Sequence, residues 1–266
     1  MHAAYLAGKA NHYEDMASNM KTIVEMGNPL SPKERNYFTA AYKKMVDAQR
    51  DSCWINSTIE QKIDGSERSR QKAKEKRETA EGYIRVICTD VLGLIDTHLI
   101  PKATDPESKV FYFKMKGDYH RYLAEIAIGD SKKPLAIDAQ NAYQQAYDIA
   151  RTKIGRCFIS DQLQPTHPTR LGVALHFSGL YYEILNSPYK AYQLAHDAFD
   201  DAIAELDSMN GENYGMECTL IMQLLRNNLT EWVPTIGMMP LGMDIVRNGI
   251  AAVAAGPGDD NDGGGN

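Results

Sequence analysis

Apolar residues recur at three- and four-residue intervals along most of this chain, and no segment alternates apolar with polar residues as a half-buried strand would. The breaks are as telling as the runs. Ser31-Pro32-Lys33-Glu34 combines an N-cap serine, a proline at the first helical position and a glutamate placed to close a capping box. Asp105-Pro106 and Ser187-Pro188 repeat the cap-then-proline signal, and Gly129 reads as a helix stop after Ile128. These marks predict an all-α fold, a single-domain bundle of about nine antiparallel helices joined by short turns. The charged run SERSRQKAKEKR at 66–77 reads as a solvated helix end and turn. Periodicity stops at Trp232, so residues 1–232 form the helical domain and 233–266 a flexible Gly/Asp-rich C-terminal tail. Within that tail IVRNGIAAVAA is more apolar, as in a weak helix or a transiently docked segment.

Composition narrows the class. A hydrophobic fraction of 43% and a charged fraction of 24% over 266 residues are those of a globular protein with a full core. A net charge of −6 disfavours general nucleic-acid binding. No signal peptide and no apolar run long enough to cross a bilayer stands out, which points to the cytoplasm, with the nucleus as a second compartment. Cys53, Cys88, Cys157 and Cys218 are widely separated and form no CxxC pair, so they read as reduced thiols. The seven histidines make no zinc pattern, and no cofactor or metal is expected.

One constellation carries chemistry. In KVFYFKMKGDYHRYLAEIAIGD, helical spacing puts Lys114, Arg121 and Glu125 on one face, with Tyr122 beside them. Lys43 and Arg50, also seven residues apart, repeat the pairing of Lys with Arg on another helix. Two such stripes suit a doubly charged anion, and guanidinium forks with a phenol suit a phosphate ester especially. A cysteine phosphatase would need an arginine six residues after its thiolate. That position holds Ile59, Leu94, Leu163 and Leu224 here, so no enzyme is expected.

The same residues lie in recognisable blocks. KVFYFKMKGDYHRYLAE, PTHPTRLGVALHFSGLYYEILNSP, STIEQK, FDDAIAELD and TLIMQLLRNNLTEW, in one collinear order from Tyr13 to Trp232, resemble the 14-3-3 family. The stretch Gly155–Leu163 is extra to that pattern and is expected to form a lengthened surface segment. The resemblance implies an all-helical, cup-shaped dimer that binds phosphoserine or phosphothreonine segments of client proteins in a basic, amphipathic groove, without enzymatic activity, nucleic acid or membrane. It assigns phosphate binding to Lys43, Arg50, Arg121 and Tyr122. It assigns the peptide groove to Lys114, Glu125, Leu175, His176, Gly179, Glu183, Leu220, Ile221, Leu224, Asn228 and Trp232, with Asn228 clamping the client backbone. It places the interface of a homo- or heterodimer on the N-terminal helices, with Leu6, Ala10, Tyr13, Asp15, Met16 and Tyr83.

Departures matter as well. The chain reads Cys53-Trp54 where the family has Trp-Arg, and His176 where a second clamping asparagine is common. A neutral imidazole keeps one donor and one acceptor of that amide. These departures leave open a second reading, a helical scaffold of the same fold with weakened phosphate dependence.

Overall fold

The computed structural model describes residues 2–62, 66–151, 163–208 and 215–237. All but Leu163 of the expected surface segment, and the tail beyond Gly237, lie outside these residues. Among the described residues the chain forms nine α-helices and no strand, as the all-α reading requires. The helices gather into two compact units, residues 1–162 and 163–266.

The first unit contains α1 (His2–Lys9), α2 (Tyr13–Glu25), α3 (Pro32–Glu60), α4 (Glu67–Leu94), α5 (Pro106–Ile126) and α6 (Lys132–Arg151). α3 packs along α4, and α5 along α6. The capping box at Ser31 is present: its hydroxyl accepts from the Glu34 amide at 3.3 Å, and the Glu34 carboxylate accepts from the Ser31 amide at 2.9 Å. These bonds hold the Glu34 carboxyl below the usual carboxylate range. Ser31→Ala should therefore cost about 1 kcal/mol in chemical unfolding, the usual worth of an N-cap. An unchanged midpoint would mean that the tertiary contacts of α3 set its start instead.

Two sequence expectations move by a turn. Ser66 caps α4 by accepting from the Ser69 amide at 3.2 Å, so residues 67–77 belong to the helix rather than to a helix end and turn. Its solvated charges stay in water while Ala73 and Ala80 face inward. α5 ends at Ile126, and Gly129, with φ +62°, opens a 3-10 turn over Gly129–Ser131 instead of stopping the helix. α4 continues into a π-helical turn over Ile95–Leu99 and a 3-10 turn over Ile100–Lys102.

The core of this unit holds Met20, Phe38, Val46, Ile84, Val91, Ile95 and Tyr119. Met16 belongs to it at 3% exposure, whereas the sequence assigned it to a dimer interface; the α1–α2 hairpin folds over it. Polar bridges tie α3 to both ends of α5. The buried Arg35 donates to Ser108 at 2.5 Å and Glu107 at 3.2 Å, and Arg50 reaches Glu125.

The second unit contains α7 (Pro168–Gly179), a π-helical turn over Leu180–Ile184, α8 (Pro188–Ser208) and α9 (Met216–Gly237). Its core is built from Leu171, Tyr192, Ala195, Leu225, Leu229 and Trp232. Residues 233–237, expected in the tail, remain helical. Tyr182 secures that end: its ring stacks on Trp232 at 4.8 Å and its hydroxyl lies 3.2 Å from that of Thr235, while Ile236 is buried.

Candidate functional site

The first unit brings two of the four predicted phosphate-binding residues onto one carboxylate, with the ring of a third against both. Arg50 on α3 donates through Nε and Nη2 to the two Glu125 oxygens, at 2.8 and 3.1 Å. Arg121 on α5 donates through Nη1 to the same carboxylate at 2.6 Å. Both guanidinium carbons lie over the Tyr122 ring, at 4.6 and 4.8 Å from its centroid. Two cations against one aromatic ring are each stabilised by its quadrupole. Lys43 stands seven residues before Arg50, paired with Asp47 at 2.5 Å, and Asp47 also faces Arg50 at 3.5 Å.

Electrostatics keep this cluster cationic. Burial works against the charge of both arginines. For Arg50 the Glu125 carboxylate, and for Arg121 the surrounding phenols and Glu125, more than offset it, so both pKa values are raised. Burial pushes the Tyr122 phenol upward, so at neutral pH it is a hydroxyl donor rather than a phenolate. That hydroxyl makes no hydrogen bond among the described residues. Lys43 and Arg50 face Asp47, Arg50 and Arg121 face Glu125, and Asp118, which also acts on Arg121, is paired with Lys114, so the cations of the cluster outnumber its carboxylates by one among the described residues. The excess cation and the phenol are what an incoming anion meets.

Behind the arginines lies a support that sequence spacing does not reveal. Tyr143 on α6 is fully buried and donates to Asp118 at 2.6 Å; Arg121 Nε approaches the same hydroxyl at 3.4 Å, and Lys114 pairs with Asp118 at 2.8 Å. Lys114, predicted for the groove, is thus joined to Arg121 through Asp118 and Tyr143, at 20% side-chain exposure. Burial and the adjacent Asp118 charge push the Tyr143 phenol far up, so it remains a donor. Asp47 could have been found from its position four residues after Lys43 and three before Arg50. Tyr143 carried no local signal, because its contact arises only when α6 packs on α5.

The second unit shows a different surface. On α9 Leu220 is 60% and Leu224 41% exposed, with Ile221 and Asn228 half-buried. Trp232 is buried at the end of this stripe, within the core rather than on the surface. On α7 Leu175, His176 and Gly179 are half-buried, and Glu183 on the following π-turn is exposed. Exposed leucines flanking an amide form a surface able to meet apolar side chains and backbone together.

A family model described as 14-3-3 protein matches residues 3–233. The chain belongs to the 14-3-3 family. Its relatives include 14-3-3 protein zeta of Bombyx mori, 57% identical over 86% of this chain and 89% of that protein. The 14-3-3-like protein 2 of Caenorhabditis elegans is 56% identical over 86% of this chain and 88% of its own length. Human 14-3-3 protein beta/alpha is 54% identical, with 86% and 89% covered. Membership brings the role of a 14-3-3 protein, a phosphopeptide-binding adaptor. No helix among the described residues of this 14-3-3 chain is long and apolar enough to cross a membrane.

Proposed function

We propose that this adaptor recognises clients by their phosphate, received by Arg50, Arg121, Lys43 and the Tyr122 hydroxyl. The observation that carries the reading is the convergence of two guanidiniums from different helices on Glu125 above one phenol ring. Glu125 and Asp47 hold the cations in place before the ligand arrives, so less entropy is lost on binding. A phosphate dianion then accepts from the N–H groups of these cations, each charge-assisted bond being worth about 1.5–3 kcal/mol net. The α9 stripe, through Leu220, Ile221 and Leu224, meets apolar client side chains, and Asn228 meets client backbone. Nothing in this chemistry calls for bond-making, so the function is binding rather than catalysis.

Titration of an Arg-x-x-phosphoserine-x-Pro peptide, alongside its unphosphorylated twin, tests the reading. Three or four charge-assisted bonds predict that the phosphorylated form binds at least about a hundredfold tighter. Equal affinities would instead support a scaffold that has lost phosphate dependence.

We further propose pairing through the N-terminal helices. Tyr5, Leu6 and Tyr83 are 42%, 51% and 57% exposed, Ala10 and Asp15 are exposed and Tyr13 is half-buried. Asp15 lies 3.6 Å from His12, the residue just before α2. The expected mass in solution is twice 29.7 kDa. Leu6→Asp combined with Tyr83→Asp should halve it, since burying two charges against an apolar interface is unfavourable. A wild-type chain of single mass at micromolar concentration would remove this proposal.

A further inference from the structure

A cleft of about 610 Å³ opens beside the clamp within the first unit, sharing Arg50 and Glu125 with it. Its charged lining is satisfied internally. At the far end Arg77 donates to Glu60 at 2.7 Å and Glu81 at 2.5 Å, and Glu81 also accepts from Arg85 at 3.2 Å. At the near end Arg50 is held by Glu125. Three side chains of the lining are exposed, and none is charged: Trp54 at 72% and Ile128 at 78% exposure are large and apolar, and Gln61 is a neutral amide, while Ile84 is buried. Trp54 follows Arg50 by four residues on α3, one helical turn or about 6 Å along the axis. An extended client advances about 3.3–3.6 Å per residue, so this wall is reached within two residues of a phosphate seated on Arg50.

We propose that this cleft is a specificity subsite that takes a bulky aromatic or aliphatic client side chain lying one or two positions from the phosphoresidue. The inference rests on the phosphate clamp reading and adds the chemistry of the neighbouring residue. Continuity with the clamp sets its place, and the cancelled charges set its preference. A flanking ion would lose hydration between the indole and Ile128 without gaining an unpaired countercharge. An aromatic ring gains both buried area and stacking on Trp54. An arginine at position 54, as in the family pattern, would make the same wall cationic. The substitution to tryptophan therefore changes which clients are favoured and leaves the phosphate contacts in place.

The test uses the full chain and phosphoserine peptides differing at one residue, walked from two before to two after the phosphoserine, with Phe, Ala, Arg or Glu there. At one position Phe should bind about tenfold tighter than Ala, the scale of one buried aromatic contact. Trp54 is the exposed member of the two tryptophans, Trp232 being 3% exposed, so the Phe peptide should also shift tryptophan emission to the blue. Trp54→Ala should abolish both effects while phosphorylated peptides keep their advantage over unphosphorylated ones. Trp54→Arg should turn the preference towards Glu. The subsite is overturned if Phe-to-Ala ratios are the same in wild type and Trp54→Ala, or if Arg outranks Phe in wild type. Loss of the clamp itself looks different: phosphorylated and unphosphorylated peptides then bind alike whatever residue flanks the serine.

Discussion

Arg121→Ala is expected to weaken phosphopeptide binding by about 2–5 kcal/mol, roughly thirtyfold to several thousandfold. Arg121 is the more enclosed clamp cation, at 12% side-chain exposure against 33% for Arg50, so its bonds compete less with water. Its loss also leaves Glu125 held by Arg50 alone, drawing the remaining guanidinium back from the ligand. Arg50→Ala should fall in the same range. Arg121→Lys keeps the charge but not the fork, and should land between wild type and alanine. Unphosphorylated peptide serves as the control, because its affinity should change little in any of these variants. Calorimetric titration with circular dichroism on the same samples separates lost binding from lost fold. Wild-type affinity in both alanine variants would show that the phosphate sits elsewhere.

Gly117→Ala should produce the largest loss of stability for so small a change. A Cβ at this position would lie 2.6 Å from Cδ1 of the Tyr143 ring, well inside van der Waals contact. Alanine normally stabilises a helix by about 1 kcal/mol relative to glycine, so local propensity alone predicts the opposite sign. The contact decides, because displacing the ring is costly: Tyr143 is fully buried and its hydroxyl is tied to Asp118. Overpacking costs about 1–3 kcal/mol, and set against the propensity gain it leaves a net loss of up to about 2 kcal/mol in urea unfolding. Gly117→Val should be worse, since its branched side chain adds volume at the same point. A second consequence follows from the Tyr143–Arg121 contact. If the ring moves to admit the methyl group, Arg121 loses its backing, and phosphopeptide affinity should fall alongside stability. A Gly117→Ala protein as stable as wild type would mean that α5 and α6 can separate slightly without cost.

Much of the site was legible because its residues are spaced by helix geometry. Lys43 with Arg50, and Arg121 with Tyr122 and Glu125, each lie on one helix, where sequence separation translates directly into a shared face. The capping box at Ser31 was legible for the same reason, being a contact three residues long. Contacts between helices were not. That Arg50 and Arg121 would meet on a single Glu125 carboxylate depends on how α3 and α5 pack. Met16 and Trp232 show the same limit. The resemblance assigned Met16 to a dimer interface and Trp232 to the peptide groove, and each is buried within its own unit, Met16 in the core that α1 and α2 help to close and Trp232 against Tyr182. An amphipathic pattern says which face is apolar, but not whether that face meets the core, a ligand or a partner.

By itself, then, the order of residues determined the all-α class, the helix starts at Ser31 and Asp105, and which cations share a face, because these depend on contacts within a turn or two of one helix. Tertiary structure alone decided the rest: the Glu125 bridge between two arginines, the buried Tyr143–Asp118 support and the cleft walled by Trp54 and Ile128. Each joins residues about 20 to 75 positions apart, and their meeting depends on which helix faces pack together, a choice made by burial of the whole core rather than by any local spacing.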